Sequence, residues 1–144
     1  MEGKERTGEF AELSRASARH LRAGMMAEYA GDLRQMSRIL EQECRYADEL
    51  KVLLLEFYVM LNCGETIPAI DRELVSSIQR AAAAAGASKY EVEELLLATI
   101  HDDTAPCRNF TPRDSLYVLE LCMNGDWERA ESIAVRSRAE ASCL

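Results

Sequence analysis

The segment HDDTAPC, residues 101–107, gathers an imidazole, two carboxylates and a thiol within seven residues. His101, Asp103 and Cys107 are the residue types that ligate zinc or other transition metals. Cys107 beside His101 is also the one local pairing of a nucleophile with a base. The spacing matches no metal clamp, however, and a third group to orient the histidine is not identifiable in the segment. A histidine at a helix C-terminus also has a simpler reason to be there, because the helix dipole favours a cation at that end.

Other chemistry is sparse. The second histidine, His20, sits beside an apolar helix face with no carboxylate or thiol three or four residues away. Glu91, Glu93 and Glu94 form an acidic cluster of the kind that decorates solvated helix faces. There is no Glu-x-x-His pair for a di-metal bundle, no phosphate-cradling P-loop and no GxGxxG. The expectation is therefore a non-catalytic protein without cofactor or bound metal. An enzyme or metal sensor built on His101, Asp103 and Cys107 is the alternative.

Charge narrows the partners. The 144 residues carry 25 acids against 17 bases, for a net charge of −8 and a pI near 4.8. Binding to a phosphate backbone or to anionic lipid needs a basic face, so neither is expected. A protein partner is expected instead, including a second copy of the chain. An acidic inhibitor that occupies the basic nucleic-acid-binding site of another protein is a further alternative, although the acids are interspersed with the bases. Five cysteines, at 44, 63, 107, 122 and 143, form no CxxC pair, which suits reduced thiols and a cytoplasmic setting. MEGKERTGEF has no apolar stretch of the signal-peptide type.

These residues need elements to position them, and the pattern is helical throughout. All three prolines fall at or after residue 68, and no β-branched alternation occurs. The spacing predicts a single all-α domain over 1–144, a bundle of about six helices. Residues 1–8 are expected to be disordered, 9–62 to form a long helical hairpin, 67–101 a helix pair and 111–141 a short C-terminal pair. The first helix is expected from Glu9 to Tyr29, with Phe10, Leu13, Ser17 and Leu21 facing inward and Gly31 as the break. Asp32, with Gln35 three residues on, reads as the N-cap of a second helix running to Asn62.

That second helix carries an unbroken heptad seam: Leu33, Met36, Leu40, Glu43, Ala47, Leu50, Leu54, Phe57 and Leu61. At thirty residues it would span roughly 45 Å. From Val52 to Leu61 every residue except Glu56 is apolar, a run about half the length that crosses a bilayer. A helix apolar on all sides is covered on all sides, by its own chain or by another. Glu43, Leu50, Leu54, Phe57, Tyr58, Met60 and Leu61 are accordingly the candidate interaction residues, in an adaptor, chaperone, assembly factor or inhibitor. Glu43 either fixes register and partner choice from a core position or faces water at an exposed middle of the seam.

The later helices have clear punctuation. Gly86 ends one, and Ser88 with Glu91 forms a capping box that opens another over 89–101. Thr111-Pro112-Arg113-Asp114 starts a helix over 112–123, and Asn124-Gly125-Asp126 separates it from a last helix beginning at Trp127. The turn Gly125-Asp126-Trp127 with Ala130 resembles a tetratricopeptide-type hairpin over about 30 residues. Val52 to Leu97 resembles the TerB tellurite-resistance domain in its apolar helix, Gly64-Glu65 turn and following Gly86-x-Ser88-x-x-Glu91. Cys63 stands where that family carries an acid.

Overall fold

A computed structural model of the chain describes residues 2–63, 70–101 and 112–142, with side chains over 8–61, 70–99 and 113–135. Among the described residues there are seven helices and no strand: α1 Glu2–Arg22, α2 Met26–Gln42, α3 Tyr46–Cys63, α4 Arg72–Ala85, α5 Lys89–His101, α6 Pro112–Met123 and α7 Trp127–Ser142. The all-α expectation holds. None of the helices is long and apolar enough to cross a membrane.

Four three-residue links join consecutive helices, and all four use one device. A residue in the left-handed conformation follows the helix: Gly24 at φ 73°, Cys44 at φ 58°, Gly86 at φ 69° and Gly125 at φ 81°. Its N–H, and that of the next residue, return to carbonyls of the last turn. Met25 donates to His20, Arg45 to Leu40, Ala87 to Ala82 and Asp126 to Leu121. The orphan carbonyls of each helix end are thereby satisfied while the chain reverses. Glycine adopts this conformation at no steric cost, whereas Cys44 adopts it as a side-chain-bearing residue.

Cys44 is where the long second helix divides. The heptad seam runs on in sequence through Glu43 into Ala47, but the chain folds back between them, so α2 and α3 form a hairpin. Glu43 is the C-cap residue of α2, partly exposed, with its carboxylate 3.7 Å from Arg45. Gly31 lies inside α2 rather than between helices, and the earlier break falls at Gly24. α1 begins at Glu2, through the stretch expected to be disordered. The boundaries of α5 and α6 match the sequence expectation. Ser88 accepts from the Glu91 N–H at 3.2 Å, and its hydroxyl donates to the Glu91 carboxylate.

α3 is the post around which the rest assembles, packed against α2, α4 and α5. Leu50, Leu54, Phe57, Tyr58 and Leu61 are 0–2 % exposed and belong to the main core, with Ile78, Leu96, Leu119 and Ala130 from later helices. Val59 faces the other way, into a smaller cluster with Tyr29, Leu33 and Met36, flanked by Val52 and Leu55. The all-round apolar helix is thus covered by its own chain. Five of the seven candidate interaction residues are core, and Met60 packs partly buried against that core. Their apolar surface is consumed intramolecularly.

Two substitutions exchange glycine between the positions that need it and do not. A Cβ added at Gly31 would meet nothing within 4 Å, and the residue is helical. Gly31→Ala is expected to stabilise the protein by about 0.5–1 kcal/mol, and Cys44→Gly by about 1 kcal/mol through relief of the left-handed strain. Urea denaturation of each variant checks both signs.

Candidate functional site

Glu49 and Glu56 lie seven residues apart in α3, which is two helical turns, so they share a face. That face looks into the seam between α2 and α4, and both residues are 1 % exposed. A buried carboxylate is costly without a charged partner. Here each has one arginine. Arg34 of α2 donates through Nε to Glu56 Oε1 at 3.0 Å and through Nη2 to Asp71 Oδ2 at 3.0 Å. Arg80 of α4 donates through Nη2 to Glu49 Oε2 at 2.9 Å and lies 3.5 Å from Glu41 of α2.

The two clamps mirror each other. One arginine comes from α2 and reaches α3 and the start of α4. The other comes from α4 and reaches α3 and the end of α2. Asp71 also caps α4, accepting from the N–H groups of Glu73 and Leu74, so the first clamp is tied to a helix terminus.

Between the clamps is a cleft of about 140 Å³, lined by both glutamates, by Arg38, Ser37 and Ser77, and by Leu53 and Leu74. Glu49 Oε1 and Glu56 Oε2 are buried and, among the described residues, accept no hydrogen bond. Each carboxylate therefore has one oxygen on an arginine and one enclosed by the protein without a donor. Burial pushes the Glu56 carboxyl above the usual carboxylate range; Arg34 pulls it down, Asp71 pushes it further up and Arg38 pulls it down.

The other sequence candidates are placed as follows. His101 is the last residue of α5; its side chain, with Asp103 and Cys107, lies outside the described residues. His20 does have an acid, Asp32, hydrogen-bonded to its Nδ1 across the α1–α2 hairpin. Sequence spacing missed it because the partner is twelve residues away. Glu93 faces Glu120 of α6, and hydrogen bonding between the two carboxyls, then burial and the Glu120 charge, raises its pKa. Cys122 is buried, and its thiol is pushed up to about 12, chiefly by burial and then by the Glu131 charge. It is thus no nucleophile at neutral pH. No group of three or more His, Cys, Asp or Glu among the described residues could hold a metal ion.

Glu49 and Glu56 themselves were not singled out by sequence. Glu56 was visible only as the one acid inside an apolar run, and that interruption is the signal that marks it. Comparison of the chain with protein-family models, with curated proteins and with solved structures gives no match.

The Glu56 environment sets a pH dependence. A carboxyl whose folded pKa is raised binds its proton more readily in the folded state. Its contribution to stability is fully present below the ordinary value of 4.5 and is lost as pH rises through the raised folded value. Glu56→Gln lacks this titration. The unfolding free energy of the wild type minus that of Glu56→Gln is expected to fall as pH is taken from 4.5 towards neutrality, followed by denaturant titration at each pH.

Proposed function

We propose that the chain is a non-catalytic helical-hairpin module that acts by contact with another protein, and that the α2/α3/α4 cleft is where it makes that contact. The observation that carries this reading is the cleft itself, whose rim presents the exposed carboxylates of Glu41 and Glu73 in a chain with net charge −8. Such a site suits a partner that presents basic side chains, because complementary charge speeds encounter and selects among partners. The apolar surface of α3 is already covered, so the site is polar and narrow rather than a broad hydrophobic groove. Free thiols at Cys44 and Cys122 suit a reducing compartment such as the cytoplasm.

The rim tests the proposal. Glu41 and Glu73 line the cleft and are exposed. The immobilised wild-type chain is expected to retain a basic protein from an extract of its source at low salt, and to release it as salt rises. Glu41→Gln combined with Glu73→Gln is expected to weaken retention of that protein and its salt dependence while circular dichroism is kept. Retention of the same proteins by both chains, with the same salt dependence, would remove the reading.

A further inference from the structure

Among the described residues α1 contributes nothing to the main core around α3. It packs along α2 and makes no contact of comparable extent with another described helix. Its inward row is Phe10, Leu13 and Leu21, each only partly buried, laid on the smaller core cluster of Tyr29, Leu33, Met36 and Val59. Ser17, in the middle of that row, is buried, but its hydroxyl donates to the Ser14 carbonyl of the same helix at 2.8 Å. Its polar atom is therefore satisfied wherever α1 goes. One flank of the seam is open, with a groove of about 510 Å³ between Leu13 and Ala16 of α1 and Gln35 of α2. His20 of α1 is hydrogen-bonded to Asp32 of α2.

The link to α2 is three residues, Ala23-Gly24-Met25, turned by Gly24 at φ 73°. Met25 precedes α2 and supplies no side-chain cap, whereas Asp71 and Ser88 cap the helices that they precede. The link contains no proline, and a Cβ added at Gly24 would meet nothing within 4 Å. With Gly24 in helical angles, residues 2–42 would run as one helix of roughly 60 Å. α1 would then no longer reach its own α2. Tyr29, Leu33 and Met36, buried at present, would be bared, and exposed apolar area is unfavourable in proportion to its extent.

A second copy in the same state covers that face with identical chemistry: Phe10, Leu13 and Leu21 on the cluster, and His20 on Asp32. The exchange is reciprocal. Two long helices lie antiparallel, each α1 on the other chain's α2, so the assembly closes as a dimer.

We propose that the α2/α3 face beneath α1 is an exchangeable interaction surface whose partner is α1 of a second copy, with Gly24 as the hinge. It uses Tyr29, Leu33 and Met36 of α2, whereas Arg34, Arg38 and Glu41 of α2 line the α2/α3/α4 cleft. It therefore stands apart from the contact proposed at the cleft.

The test is the molar mass of the full chain, by light scattering behind size exclusion, at two concentrations about tenfold apart. The wild type is expected to show a dimer fraction that rises with concentration. Gly24→Ala is expected to strengthen the dimer about tenfold or more, because a side chain disfavours the left-handed turn at both hinges and favours the straight helix. Insertion of Gly-Ser-Gly-Ser after Gly24 is expected to weaken it, since a longer link lets α1 fold back on its own α2 without strain. A dimer made from isotope-labelled and unlabelled copies is expected to give interchain NOEs between Leu13 and Leu33.

A wild type that is monomeric at both concentrations overturns the proposal, whatever Gly24→Ala does. So does a dimer without those interchain NOEs. Capture of a different protein's helix on this face by a monomeric wild type would also count against a second copy. Should Gly24→Ala not fold, the wild type and the lengthened link decide.

Discussion

The structure depends on how α3 is covered. This helix is apolar on nearly every side yet carries two carboxylates on one face, and every neighbouring element is arranged around that combination. α2 closes one flank with Tyr29, Leu33 and Met36, and the later helices close the other with Ile78, Leu96 and Leu119. The remaining face is where the carboxylates lie. There the packing gives way to two arginines, Arg34 and Arg80, each reaching across from a different helix. Removing either arginine would leave a buried charge uncompensated, which costs far more than the pair itself contributes.

Much of the architecture was legible because local chemistry and tertiary packing agree. Ser88, Glu91, Gly86, Pro112 and Gly125 punctuate the C-terminal half, and the helix boundaries there follow those residues. The N-terminal half was less legible for two physical reasons. Gly31 carries a turn signal but occupies an exposed helix interior, where its cost is tolerated. Cys44 carries no turn signal and yet takes the left-handed conformation, because the burial of α2 against α3 outweighs about 1 kcal/mol of local strain. The heptad seam was real as two inward faces, but periodicity alone cannot tell a continuous helix from two halves that fold back in register.

The site was harder to read than the fold. Glu43 fell on the heptad and drew attention, but it caps a helix at the surface. Glu49 and Glu56 fell off the heptad and are the buried pair. Their partners are 22 and 31 residues away in sequence, distances at which no local pattern operates. The length of α3 and its apolar run announced a helix in need of cover; they did not announce that part of the cover is ionic. The arginines bring their charge to a face where apolar side chains would have packed as well, and this is why the cleft between them reads as a site rather than as packing.

The most direct test of that claim is the unfolding free energy of Arg34→Met combined with Glu56→Met, measured beside each single variant. A buried ion pair kept for recognition contributes little net stability, so the account predicts a double variant at least as stable as the wild type, with Arg34→Met alone clearly less stable because it leaves Glu56 buried without its arginine. A double variant as unstable as Arg34→Met would contradict it, and would make the clamp a structural necessity of the α2/α3/α4 seam.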